Sequence, residues 1–170
     1  MDETTKLTLF EETIVPHLSA AYNLARWLTR NPHEAEDMVQ EAYLRAFRFF
    51  DSFRGGDGRA WLLSVVRNTC LTSLRRRAGT SGGVAFDEQA HLPVTGQENA
   101  EERLMKESEI RSLQTCVESL PAEYREVIVM REFEELSYRE ISEIAGIPIG
   151  TVMSRLSRGR LRLLDCMEVK

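Results

Sequence analysis

Hydrophobic positions along this chain recur at three- and four-residue spacings, the period of helices buried on one face, and no stretch alternates residue by residue as a strand would. After Pro16, the residues Leu18, Ala21, Tyr22, Ala25 and Leu28 form one apolar stripe. Asn31-Pro32-His33-Glu34 then combines a capping side chain, a proline at the first helical position and an acid three residues after the cap, which predicts a second helix start. Its stripe is Ala35, Met38, Val39, Ala42, Ala46 and Phe49. The glycine-rich run Asp51–Gly58 breaks the period, and a third helix is predicted from Arg59 to Arg77.

Residues 79–100 are rich in Gly, Ser and Thr with no sustained period, and read as a flexible linker. Beyond them Ile110, Leu113, Val117 and Leu120 make a helix face, and Pro121 opens a helix through Phe133 with Tyr124, Val127 and Ile128 inward. The expected fold is all-α, with two small helical domains at residues 1–78 and 101–170.

The pattern is sharpest from Ser137 to Arg160. Ser137 and Glu140 have the spacing of a capping box, Ile141, Ile144 and Ala145 share a face, and Gly146 supplies the positive-φ residue that ends a helix. Pro148 stands where the next helix begins, leaving a tight turn. On that second helix Val152, Leu156, Gly159 and Leu163 face inward, while Thr151, Ser154, Arg155, Arg158 and Arg162 face outward. An apolar inner face with a basic, hydroxylic outer face suits a helix in the major groove, where guanine acceptors and phosphate oxygens meet Arg and hydroxyl donors. A surface helix with solvated arginines is the plainer alternative, but it does not explain the capping box, glycine turn and proline start together. The segment reads as a helix-turn-helix.

The chain has 170 residues, 42% hydrophobic and 29% charged, an ordinary soluble composition. No apolar run approaches the roughly 18 residues of a membrane span, and the acidic start Met1-Asp2-Glu3 is no signal sequence, so the expected location is the cytoplasm. Cys70, Cys116 and Cys166 match no zinc spacing; reduced structural thiols are expected, with no metal and no cofactor.

Charge is informative once divided along the chain. Residues 59–77 carry five arginines and no acid, whereas residues 78–147 carry fifteen acids against six bases. Taken block by block, the balance is positive only in residues 59–77, the third helix, and in residues 148–170, on a chain whose net charge is −5. Phosphate neutralisation supplies most non-specific DNA affinity, so this chain alone should bind DNA weakly.

Asp37-Met38-Val39-Gln40-Glu41, then Arg59-Ala60-Trp61-Leu62 and Arg67-Asn68, then the linker and Gly150-Thr151-Val152 with Ser154-Arg155-Leu156, together resemble the extracytoplasmic-function (ECF) class of bacterial sigma-70 factors. The resemblance covers most of the chain. It implies a promoter-specificity subunit, not an enzyme, built from the domains called sigma-2 and sigma-4. By resemblance, Asp37, Gln40, Glu41 and Leu44, which share one face of the second helix, contact the clamp helices of core RNA polymerase; a solvated charged face is the alternative. Ser52, Phe53, Arg54, Arg59, Arg67, Asn68, Arg75 and Arg76 are expected at the melted minus-ten element, with the loop Ser52–Gly58 against a flipped base. A plain glycine turn is the alternative for that loop, and core packing is expected for Trp61. Tyr138, Arg139, Gly150, Thr151, Ser154, Arg155 and Arg158 are expected on minus-thirty-five duplex, with this domain also touching the polymerase flap.

Two positions depart from the family pattern, Met153 where Lys is common and Ala145 where a larger aliphatic residue is common. Family members are commonly held by an anti-sigma factor and serve stress responses. A self-sufficient repressor would need a dimer interface and a basic overall footprint, and neither is evident. His17, His33 and His91 are scattered, and no phosphate loop or nucleophile motif is present, which argues against an enzyme.

Overall fold

The computed structural model describes residues 2–79 and 100–168, and the linker expected at residues 79–100 therefore falls almost wholly outside the described residues. Every regular element among the described residues is helical.

The first domain holds α1 (Glu3–Ile14), α2 (Leu18–Thr29), α3 (Pro32–Arg48) and α4 (Gly58–Gly79). A short 3₁₀ turn at Val15–His17 carries Pro16 and separates α1 from α2. The sequence pattern predicted no separate first helix, because α1 buries only Phe10 and Ile14 while Leu7 and Leu9 stay exposed. Phe10 is nonetheless central: its ring meets Tyr43, Phe47 and Phe50 edge-to-face at 4.9, 5.2 and 5.4 Å. The Asn31 cap forms as predicted, its side chain accepting from the Glu34 N–H. Two inward assignments of this domain are corrected, and Tyr22 on α2 is the first, its side chain exposed. Phe49 is exposed and Phe50 buried, because α3 ends at Arg48 and the turn Phe50–Ser52 swings the next ring into the core.

The second domain holds α5 (Ala100–Ser119), α6 (Ala122–Ile128), α7 (Tyr138–Ala145) and α8 (Ile149–Glu168), with a wide π turn at Val129–Phe133 after α6. Tyr124, Val127 and Ile128 are buried as predicted, whereas Leu113 is exposed and Cys116 takes the inward place on α5. The expectation of reduced thiols is corrected for two of the three cysteines: Cys116 and Cys166 are joined as a disulfide. They stand 50 residues apart in sequence, but α5 packs on α8 and brings their Cα atoms to 5.8 Å. Cys70 is free and buried, and burial, with Glu34 and Glu41 nearby, pushes its thiol up to about 12.

The two domains pack on each other. α2 meets α6, α4 meets α7, and one apolar cluster runs from Phe10 in the first domain to Leu156 in the second. No spacing in either half predicts that seam.

Candidate nucleic-acid interface

The hairpin is built as the spacing predicts. The Ser137 hydroxyl accepts from the Glu140 N–H at 3.1 Å and the Glu140 carboxylate accepts from the Ser137 N–H at 3.0 Å, closing the capping box. Gly146 has φ +67°, the left-handed geometry that releases the chain from α7, and α8 begins three residues later. Val152, Leu156 and Gly159 are buried, and burying the Val152 or Leu156 side chain contributes about 1.5–3 kcal/mol. Ser154 and Arg158 are exposed, Thr151 and Arg155 half-buried, and Gly150 has nothing within 4 Å of a notional Cβ. The first turns of α8 thus present hydroxyl and guanidinium donors outward over an apolar anchor.

Other arginines of this domain are held by their own scaffold. Arg162 lies over the Tyr124 ring at 5.0 Å, Arg160 pairs with Glu132 at 2.8 Å, and exposed Arg139 leans toward Glu143 at 3.5 Å. Tyr138 supports Arg131 through a 5.0 Å cation–π contact. Arg125 is buried and donates to the carbonyls of Glu118 and Leu120, closing the end of α5; burial pulls it down to about 10, so it remains a cation at neutral pH.

On α3, Asp37, Gln40 and Leu44 are exposed and Glu41 is half-buried, paired with Arg45 at 2.6 Å. Beside them Leu18, Val39, Gln40, Tyr43 and Leu44 line an apolar groove of about 400 Å³. An exposed Leu44 at a groove edge, with Asp37, Gln40 and Glu41 on the same helix, is a face suited to a protein partner.

The loop before α4 uses Gly55 and Gly56 at φ +82° and +90°, and the Asp57 carboxylate accepts from the N–H groups of Arg59 and Ala60. Ser52, Phe53, Arg54, Asp57, Trp61 and Ser64 line a cleft of about 390 Å³. Trp61 is half-buried: its ring packs on Phe53 and Phe50 at 5.3 and 6.1 Å, and it also lines the cleft. Asn68, Arg75 and Arg76 are exposed on α4, and Arg77 pairs with Glu34 at 2.8 Å.

Two of the arginines expected on DNA are engaged across the domain seam. Arg67 donates from Nε and Nη2 to the two carboxylate oxygens of Glu126 at 2.7 and 3.1 Å. Arg59 donates to the Glu134 carbonyl and stands 3.6 Å from its carboxylate, to which Asn23 also donates at 2.6 Å. Sequence reasoning missed Glu126 and Glu134, since each lies 59 residues or more from its partner.

Residues 13–80 match the family described as sigma-70 region 2, and residues 110–163 match sigma-70, region 4. The chain is 32% identical over 162 residues to the ECF RNA polymerase sigma factor SigW of Bacillus subtilis, covering 89% of this chain and 84% of that one. It belongs to the ECF sigma factors. The ECF RNA polymerase sigma-E factor of Escherichia coli is 37% identical over 138 residues, 75% of this chain and 70% of its own length. The chain spans about 60% of the length of SigE from Mycolicibacterium smegmatis, 33% identical over 157 residues and 92% of this chain. Among solved structures, the sigma factor RpoE in its complex with the anti-sigma factor NepR from Bartonella quintana has TM-score 0.78 and 28% identity, covering 95% of this chain and 98% of that one. ECF membership matches the architecture, one helical domain per matched region. No helix among the described residues is long and apolar enough to cross a membrane.

Proposed function

We propose that this ECF sigma factor directs core RNA polymerase to specific promoters from the cytoplasm. Residues 1–78 act as the sigma-2 domain, with the α3 face of Asp37, Gln40, Glu41 and Leu44 on the clamp helices. The loop and α4 residues Ser52, Phe53, Arg54, Arg59, Arg67, Asn68, Arg75 and Arg76 act at the melted minus-ten element. Extruding a base costs a few kcal/mol, and stacking in the Trp61 cleft returns about 1–3 kcal/mol per base. Residues 101–170 act as the sigma-4 domain near the polymerase flap, with Tyr138, Arg139, Gly150, Thr151, Ser154, Arg155 and Arg158 on minus-thirty-five duplex; residues 79–100 tether the two.

The observation that carries this reading is the division of α8 between the buried Val152, Leu156 and Gly159 and the outward Ser154, Arg155 and Arg158. A net positive balance concentrated in α4 and α8, on an otherwise acidic chain, supports a reader that works when docked to the polymerase. The RpoE likeness, a sigma factor solved with an anti-sigma factor, supports control of this chain by such an inhibitor, in a stress response. Run-off transcription with core enzyme and a promoter library tests the reading. Core-dependent initiation from a defined subset of promoters is expected, and tight sequence-specific binding by the free protein would point instead to a self-sufficient repressor.

A further inference from the structure

The outward surface of α8 is not uniform around the helix. Thr151, Arg155, Arg158 and Arg162 recur at four, three and four residues and form a basic side. Ser154 and Ser157, both exposed, run along the crest. The opposite side differs: Ile149 and Met153, four residues apart, are 44% and 54% exposed, and Arg160 follows on the same side two turns later. Arg160 donates from Nε and Nη2 to one Glu132 carboxylate oxygen at 3.0 and 2.8 Å. This side therefore carries two apolar side chains and a neutral ion pair, and has little net charge with which to grip a phosphate.

Met153 is the fifth residue of α8, within the first turns of the helix, the part of a reading helix that approaches base edges, and Ser154 and Arg155 follow it directly. Its thioether offers no N–H or O–H, and its unbranched chain adapts to the shape it meets. The edges of the major groove present acceptors, amino donors and one kind of apolar group, the C5 methyl of thymine. An exposed apolar side chain set among hydrogen-bonding ones has that group as its complement. We infer that Met153 is a specificity-determining residue, selecting thymine at a position of the minus-thirty-five element by packing on its methyl group, with Ile149 extending the same apolar edge. The inference rests on the proposed reading of that duplex by α8. Arg155 and Arg158 on the basic side meet guanine and phosphate, and the Met153 side adds readout of a methyl group.

The test uses the full chain with core polymerase on templates randomised across the minus-thirty-five element, each carrying a transcribed barcode. Wild type should enrich thymine at one or more positions. Met153→Gln, close in size but polar, should lose a thymine preference and keep the other base preferences, whereas Met153→Leu should retain it. Exchanging uracil for that thymine removes the methyl group alone. It should lower wild-type initiation about fourfold, the effect of uncovering one methyl group, and leave initiation by Met153→Gln unchanged. The uracil exchange on wild type needs no variant, so it decides the matter even if Met153→Gln misfolds. Three results overturn the inference: wild type that initiates equally from thymine and uracil templates; Met153→Gln with unaltered base preference; and Met153→Gln that melts as wild type does but loses initiation on all templates alike, which would set Met153 against protein. Wild type that initiates from no template defeats the promoter-reading role and the inference with it, whereas selective initiation indifferent to the methyl group defeats the inference alone.

Discussion

A Cβ built on Gly159 would stand 2.9 Å from Ile128 Cγ1 and 3.2 Å from its Cδ1. α8 therefore crosses α6 at a point with no room for a side chain, and this crossing sets how far the reading turns of α8 project. Alanine gains about 1 kcal/mol of helix propensity over glycine, while overpacking a fitted core costs about 1–3 kcal/mol. Gly159→Ala should lower stability by roughly 1 kcal/mol net, measured by thermal melting followed by circular dichroism. A melting point at or above wild type would mean that Ile128 turns aside freely.

Arg155 and Arg162 lie on one helix and should behave differently. Arg155 is on the outward face near the start of α8, so Arg155→Ala should weaken recognition of the preferred minus-thirty-five duplex by about 1–3 kcal/mol if its contact is bidentate. Arg162 lies over Tyr124 within its own domain, and its removal should cost stability of about 0.5–1 kcal/mol while leaving promoter choice unchanged. Run-off assays across minus-thirty-five variants check both, and equal promoter profiles for wild type and Arg155→Ala would reject the assigned base contact.

Asp37 is exposed on α3, whereas Glu41 is tied to Arg45. Asp37→Lys should therefore reduce competition for core polymerase without changing the melting curve. Glu41→Lys should do the same with a small added loss of about 0.3–0.5 kcal/mol from the broken helix pair. If Asp37→Lys competes for core as well as wild type, the partner face lies elsewhere on the domain.

The three cysteines should separate by chemistry. Cys70 is buried with its thiol pushed up to about 12, so at pH 8 it stays protonated; alkylation should require unfolding, or a pH close to that value. Mass mapping of the protein kept unreduced should find a Cys116–Cys166 cross-linked peptide and a single alkylated cysteine, Cys70, after denaturation. Removing a cross-link that closes a loop of this length should cost about 2–4 kcal/mol, so Cys166→Ser should melt earlier than wild type under oxidising conditions. Rapid alkylation of Cys70 in the native protein at pH 8 would contradict its burial.

What was legible in the sequence was legible because it is local. The Ser137–Glu140 box, the Asn31 cap, Gly146 and the inner face of α8 each depend on residues within a turn or two, where backbone hydrogen bonding and helical period act directly. Phe49 and Phe50 show where that reach ends: both rings fit the register of α3, and the tight turn after Arg48 decides which one is buried. α1 escaped for a related reason, since two buried side chains make too short a stripe.

By itself the sequence determined most of the helices, the hairpin, the alternation of acidic and basic blocks along the chain and the family to which they belong, because periodicity, capping and motif order are properties of neighbouring residues. Only the tertiary structure decided that Arg67 meets Glu126, that Arg59 meets Glu134, and that Cys116 meets Cys166. Those partners are 50 or more residues apart, and what joins them is the mutual burial of helix faces, an energy that no local window of the chain contains.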